Sequence, residues 1–409
     1  MKTTATHTGP LAGMRVLDLT QIMAGPTCSM MLADMGADVV KIEKLPGGDD
    51  SRNYRDPLVN GVSAPFMIMN RNKRGIAVNL KLEEGRAVLL RMVAQADVLI
   101  ENFRGGTLDK LGLGYEVLSR ANPGLIYCAI TGYGRNGPYA SKGGFDLIAQ
   151  GFAGLMSVTG EPERPPVKTG NPVSDMNAGI LAALGITSAY VHKLKTGQGQ
   201  IVDTSLMDAA LQQTYWHAAV FFATGNSPGP TGSAHLLTAP YQAFQTSDGW
   251  INIGGANQSN WERITDVLGH PEWREDPRYA TNSDRMANLN SLTQAMNAVL
   301  VTRTRAEWSA VLDAAGVPAG PVHTIGEALS HPQTLARGMV LDLVHPEAGP
   351  TKAIGCPIHF SATPTQVTRP APLLGEHTRE LLKEFGYSDS EIDTLLAQGA
   401  VEEATQAVA

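Results

Sequence analysis

Asp175 stands at the start of a helical stretch rich in glycine and alanine, and a carboxylate in that place can do one of two things. It can cap the helix by accepting hydrogen bonds from the first-turn amides. Alternatively, the same amides keep it ionised as a nucleophile while neighbouring donors stabilise oxyanions. Two cationic clusters accompany it. Asn72-Lys73-Arg74 precedes a strand candidate and Asn102-Phe103-Arg104 follows another, where strand ends of an open α/β sheet meet ligand. Arginine and lysine suit phosphate groups, while asparagine and backbone amides suit an adenine edge or an amide-bearing arm. An ordinary surface loop is the plain alternative for each cluster.

Other chemistries lack their residues. Glu43 ends a strand candidate where an acidic side chain could bind a ribose hydroxyl, but the first turn, Gln21-Ile22-Met23-Ala24-Gly25-Pro26, lacks the G-x-G-x-x-G spacing that cradles a pyrophosphate. None of the ten histidines forms an H-E-x-x-H or comparable pattern, so no metal is expected. No G-x-x-x-x-G-K-[ST] loop points to nucleoside triphosphate hydrolysis.

The elements that must position these residues follow from hydrophobic patterning. Residues 14–19 read as a strand, followed by a Gly25-Pro26 break, a helix to about Met35 and a second strand over 37–42. Further strands are expected at 75–80, 97–100 and 125–130, with helical patterns between them. Together they predict a parallel sheet with flanking helices. A long helix over 175–195, a strand over 200–204 and a helix over 206–223 ending at Gly225 come next. A linker at 225–232 then leads to a hairpin around Ser247-Asp248-Gly249 and to helices through about Leu335. From Ala336 onward the reading is an apolar strand-like stretch, a proline-rich passage and an amphipathic helix near 379–385.

The chain of 409 residues is long enough for two or three domains, and 43% hydrophobic with 17% charged residues is a globular balance. A net charge of −7 argues against a nucleic-acid partner. Residues 41–110 nonetheless hold more lysine and arginine than aspartate and glutamate, so this segment could meet a small polyanion. Cys28, Cys128 and Cys356 are far apart and imply neither disulfides nor a thiolate zinc site. A polar start and the lack of any run of about 18–20 apolar residues lead us to expect a cytoplasmic protein without a membrane partner.

The sequence resembles the class III coenzyme A transferases, typified by formyl-CoA transferase and carnitine CoA-transferase, with α-methylacyl-CoA racemase as a relative. The resemblance covers nearly the whole chain. It rests on Pro10-Leu11-Ala12-Gly13-Met14-Arg15-Val16-Leu17-Asp18 leading to Ala24-Gly25-Pro26, on 33–43 with Gly48-Asp49, and on Asn72-Lys73-Arg74. Asp97-Val98-Leu99-Ile100-Glu101-Asn102-Phe103, Gly132-Tyr133-Gly134, Gly137-Pro138 and 372–378 complete it. The resemblance implies that Asp175, in Ser174-Asp175-Met176-Asn177-Ala178-Gly179, is the nucleophile. It also implies that coenzyme A, as substrate and not as a permanent cofactor, contacts Met23, Ala24, Lys44, Val78, Asn79, Leu80, Lys81, Asn102, Phe103, Arg104, Lys110 and the loop from Lys142 to Asp146.

The implied activity moves coenzyme A from an acyl-CoA, such as succinyl-CoA, to a small carboxylic acid through an aspartyl-CoA thioester. Solvent would hydrolyse such an intermediate, so a closing loop is expected, with 228–233 as candidate despite two stiffening prolines. His235 and Tyr241 could contact the acyl group. The competing activity is acyl-CoA racemisation, whose Gly-His-Asp motif reads Gly144-Phe145-Asp146 here, and phenylalanine accepts no proton. The family architecture implies a large Rossmann-like domain from residues 1–225 and 336–409, a smaller α+β domain over 226–335, and an interlocked homodimer.

Overall fold

The computed structural model describes residues 8–404, so most of the polar start lies outside the described residues. The chain divides into two compact units: Met1–Ala153, Gly170–Gln213 and Gln333–Ala409 form the first, and Gly154–Thr169 with Thr214–Pro332 the second. The second unit thus takes in a segment upstream of Asp175 beside the span expected at 226–335.

The first unit is built on a central sheet. Its strands are β1 (Arg15–Asp18), β2 (Asp38–Lys44), β3 (Arg74–Val78), β4 (Val98–Glu101), β5 (Ile126–Thr131) and β6 (Ile201–Ser205). Their spatial order is β3-β2-β1-β4-β5-β6, all parallel. The short strand Val401–Glu402 adds to β3 antiparallel, with Val401 opposite Val78. β3, β4 and β5 are buried at every residue, the continuous apolar runs of strands covered on both faces. Leu17, Val40, Ile76, Leu99 and Tyr127 of the sheet pack with Leu89, Leu381 and Phe385 into one core.

Chain direction across the sheet reverses at β1. From β1 the chain moves outward through β2 to β3, then returns to β4 on the other side of β1. Such a switch opens a crevice beyond the carboxyl ends of the two strands. Helix α1 (Ala24–Asp34) starts at this crevice, and α4 (Val173–Thr196) packs along α1. Here α2 (Glu83–Val93) and α3 (Asp146–Phe152) are the intervening helices used below. The α1–α4 contact needs small residues: a Cβ on Gly179 would sit 2.5 Å from the Ala24 carbonyl oxygen. Ala178, Ala182 and Ala183 continue that buried face.

The helix expected over 206–223 is two helices, α5 (Leu206–Gln212) and Tyr215–Thr224, and the unit boundary falls at the break. Gly225 closes the second of these with a φ of 73°, the left-handed cap expected there. Within the second unit, Tyr241–Thr246 and Gly249–Gly254 form the hairpin, extended by Ala319–Pro321. Trp261, Phe244, Ile251 and Trp308 form its core.

Candidate active site

A cavity of about 370 Å³ opens at the switch point of the first unit. Its walls come from the turn after β1, the loop after β4, the end of β5, the loop before α3, and the first turn of α4. Met23, Ala24, Asn102, Phe103, Arg104, Lys142 and Asp175 all line it, as does Phe145. A narrow recess adjoins it through Gln21 and Phe103 and is lined by Lys44, Val78 and Leu80. The expected residues therefore converge in large part. Asn79, Lys81 and Lys110 line neither space. Asn79 spends its backbone N–H on Ala400 and its side chain on the Lys81 N–H, and Lys44 ion-pairs with Asp50 at the surface.

Local sequence explains the convergence. The turn after β1 carries Ile22 at a φ of 69°, a conformation that a β-branched residue adopts only when neighbours hold it. Two residues do so. The Asn102 amide donates to the Gln21 carbonyl at 2.8 Å and accepts from the Gln21 N–H at 3.0 Å, and the Ile22 N–H donates to Asp49 at 3.1 Å. The Asn102 side chain is thus committed to shaping the wall. Beyond β5, a Cβ on Gly144 would lie 2.7 Å from the Gly132 Cα, so two backbones touch and bring Lys142 to Phe145 against the strand end.

Asp175 differs from the helix cap first considered. Helix α4 starts at Val173, and Asp175 sits in its first turn with Pro172 before the helix. The first-turn amide of Ser174 donates instead to Asp146 Oδ1 at 2.9 Å, and Gln150 Nε2 donates to Asp146 Oδ2 at 2.7 Å. Among the described residues no amide donates to the Asp175 carboxylate. Burial, with a smaller contribution from the Asp146 charge, pushes its pKa up to about 7. Asp146 does not line the cavity.

The first cationic cluster is not at the crevice. Lys73 is wholly buried, donating to Asp18 Oδ2 at 3.1 Å and to Asn70 at 2.8 Å, and Arg74 binds Asp38, Glu380 and Glu384. Glu43 is also spent, accepting both Nε and Nη2 of Arg52 at 2.7 Å. For Lys73 and Arg74 the sequence leaves a ligand-facing cluster and a surface loop both open, because residue type alone does not separate a buried ion from a surface one. Sequence reasoning also missed Asp49, whose carboxylate accepts from Lys41 at 2.8 Å and from Ser51 N–H at 2.9 Å while holding the Ile22 turn. In the second unit, the 228–233 segment is tied down by the Gly232 N–H bond to Gly160 at 2.9 Å. The His235 ring lies between Trp216 and Tyr241. Among the described residues no group of three potential ligands could hold a metal ion, and no helix is long and apolar enough to cross a membrane.

An open, mostly parallel sheet with a ligand cavity at its switch point places the first unit among the doubly wound α/β proteins. The chain belongs to CoA-transferase family III, whose model matches residues 11–378. Succinyl-CoA:glutarate CoA-transferase of Mus musculus is 36% identical over 395 residues, covering 96% of this chain and 91% of that protein. Succinate–glutarate CoA-transferase of Agrobacterium fabrum is 39% identical over 382 residues, covering 92% and 96%. A CaiB/BaiF family protein from Brucella suis, solved as a crystal structure, superposes with a TM-score of 0.83 at 40% identity, covering 92% of this chain and all of that one. The protein is a CoA-transferase, acting between acyl-CoA thioesters and acids.

Proposed function

We propose that the protein exchanges coenzyme A between a dicarboxylic acyl thioester, succinyl-CoA among them, and a free dicarboxylic acid, with Asp175 as covalent carrier. The observation that carries this reading is a carboxylate at the cavity wall that no hydrogen bond from the described residues stabilises and whose basicity burial has raised. Such a group is a stronger nucleophile than a solvated carboxylate. Attack by its oxygen on the thioester carbonyl breaks the carbon–sulfur bond and gives a mixed anhydride and CoA thiolate. The thiolate then attacks the aspartyl carbonyl, expelling the donor acid and leaving an aspartyl-CoA thioester. The acceptor carboxylate reverses both steps, so the proton count is unchanged and Asp175 is regenerated. The start of α1 at Ala24 and the cations of Arg104 and Lys142 suit the negative charge that develops and the anionic ligand.

Names of the two relatives, with succinate and glutarate as their acids, support the dicarboxylic class. Phe145 at the cavity wall supports transfer over racemisation, because the side chain carries no base. A second copy as partner fits two features: Ile180, Leu184, Val191 and Leu194 are exposed along α4, and Tyr215–Thr224 buries none of its apolar residues. Three free, buried cysteines suit a reducing compartment, and we place the protein in the cytoplasm.

The test is intact-mass measurement after incubation with succinyl-CoA, with hydroxylamine as trap. A covalent adduct that disappears in Asp175→Ala is expected. An adduct of undiminished yield in that variant would reject the assignment, and deuterium uptake at the α-carbon without any acceptor acid would favour the racemase.

A further inference from the structure

A second cavity, of about 270 Å³, lies beyond the carboxyl ends of β4 and β5 and shares the Arg104–Gly105 turn and Thr131 with the Asp175 cavity. Its residues are not those that the transferase reading uses, Arg104 excepted. At its floor is Glu101, only 6% exposed, with Oε1 accepting from the Tyr127 hydroxyl at 3.2 Å and Oε2 from the Phe103 N–H at 2.8 Å. Burial pushes the Glu101 carboxyl up to about 7, so near neutrality this floor carries only part of a full negative charge. Arg135 lies over the Tyr127 ring with 5.3 Å from guanidinium carbon to centroid, and Arg104 closes the other side.

Among the described residues neither guanidinium forms an ion pair; Arg135 engages the Tyr127 hydroxyl and meets the Glu101 and Asp203 charges at longer range. Asp109, the other acid on the wall, turns towards Gly114, where an added Cβ would come within 2.0 Å of its Oδ1. Ser141 adds a hydroxyl to the lining, whereas the Thr107 hydroxyl donates to the Arg104 carbonyl at 2.7 Å and so ties down the turn. Two guanidiniums without an ion-pair partner, beside a partly protonated acid and a phenol, form a site for oxyanions, because guanidinium and carboxylate match in planar geometry and charge. The volume is below the roughly 300–1,000 Å³ of pockets that enclose drug-sized ligands, so the occupant is small.

We propose that this cavity is a second, non-catalytic site for a short dicarboxylate, held by the Arg104 and Arg135 guanidiniums with its carbon chain over Tyr127. The ligand class rests on the transferase reading, whose acids would be at hand, whereas the site itself does not. Because Arg104 and Gly105 wall both cavities, occupancy would stiffen the turn that follows β4 and so couple free acid to coenzyme A binding.

Isothermal titration of succinate and of glutarate into the full chain saturated with coenzyme A tests it, since the thiol ester pocket is then filled. One saturable site per chain is expected, weakened at least about tenfold in Arg135→Gln, less in Arg135→Lys, and unchanged in Asp175→Asn. Absence of saturable binding, unchanged affinity in Arg135→Gln at an unchanged melting temperature, or inorganic sulfate binding as tightly as succinate would each overturn it. Displacement of the acid by coenzyme A would also overturn it, by assigning the cavity to the nucleotide. Saturable binding lost in Arg135→Gln, in a protein that shows no CoA exchange with any acid, would sink the transferase reading and leave the site standing.

Discussion

Asp18 and Asp175 are carboxylates of one unit, the first fully buried and the second half-buried at the cavity wall, and they are tuned in opposite directions. Burial raises each. At Asp18 that rise is outweighed by Lys73 and Lys41, with hydrogen bonds from Ser29 and Thr20, and the group is held below the ordinary aspartate range. Asp49 behaves likewise: against burial, Lys41 and the Ser51 bonds pull it down to about 2. Asp175 has burial and a neighbouring aspartate but no cation, and rises to about 7. The same side chain is therefore held ionised where two ammonium groups surround it and gains basicity where they are withheld.

The largest effect we expect falls on activity. Asp175→Ala should lower turnover by at least about a thousandfold, on the order of 4 kcal/mol in activation free energy, because every step of the proposed exchange passes through the Asp175 carboxylate. Steady-state exchange with succinyl-CoA and glutarate measures it, and a loss of less than about tenfold would place the carrier elsewhere. Far-UV circular dichroism should be unchanged in this variant. Asp18→Ala is the opposite case. It leaves Lys73 buried without its ion-pair partner, while Lys41 keeps Asp49, and should cost about 3–5 kcal/mol of stability, read as an earlier urea transition of the first unit. If Asp18→Ala unfolded at the wild-type urea concentration, the buried network would carry no energy and the contrast would fail.

Much of this contrast was legible only in outline before the fold was known. The order strand, helix, strand from Met14 to Ile42 follows from local periodicity, and the structure has β1, α1 and β2 there. Asp175 and the loops at Asn102 and Lys142 were also assigned to one site, and they share one cavity. For Lys73 a ligand-facing role stayed open because a lysine before a strand gives no local sign of the aspartate 55 residues away that neutralises it. The pairing of Val401 with Val78 was missed for the same reason: two-residue strands have no period, and their partner is fixed by the whole fold. Helix 206–223 was drawn as one because its apolar residues run on through Gln213 and Thr214, where the chain passes from one compact unit to the other.

Two pH experiments sharpen the comparison. An aspartate whose folded pKa exceeds its unfolded value favours folding in its protonated form, and that contribution is lost as pH rises through about 7. Asp175→Asn should therefore be more stable than the natural protein at pH 8, by about 1–3 kcal/mol, and the difference should shrink as pH falls towards 4. Thermal unfolding across that range checks the sign. Exchange activity should fall in the other direction, losing rate below about pH 7 as the nucleophile takes up its proton. A stability difference that grew on acidification would mean that Asp175 is held by a partner, as Asp18 is.

The smallest effect separates the two causes acting on Asp175. Burial is the leading one and the Asp146 charge the lesser, so Asp146→Asn should shift the acid limb of the rate profile to lower pH by less than about one unit. Asparagine retains an oxygen to accept the Ser174 N–H, so the start of α4 keeps its bond and the maximal rate at high pH should change little. A fall in the plateau without a shift of the limb would assign Asp146 to positioning alone. A shift of two units or more would mean that repulsion between the two carboxylates, and not the dry wall around Asp175, sets its basicity.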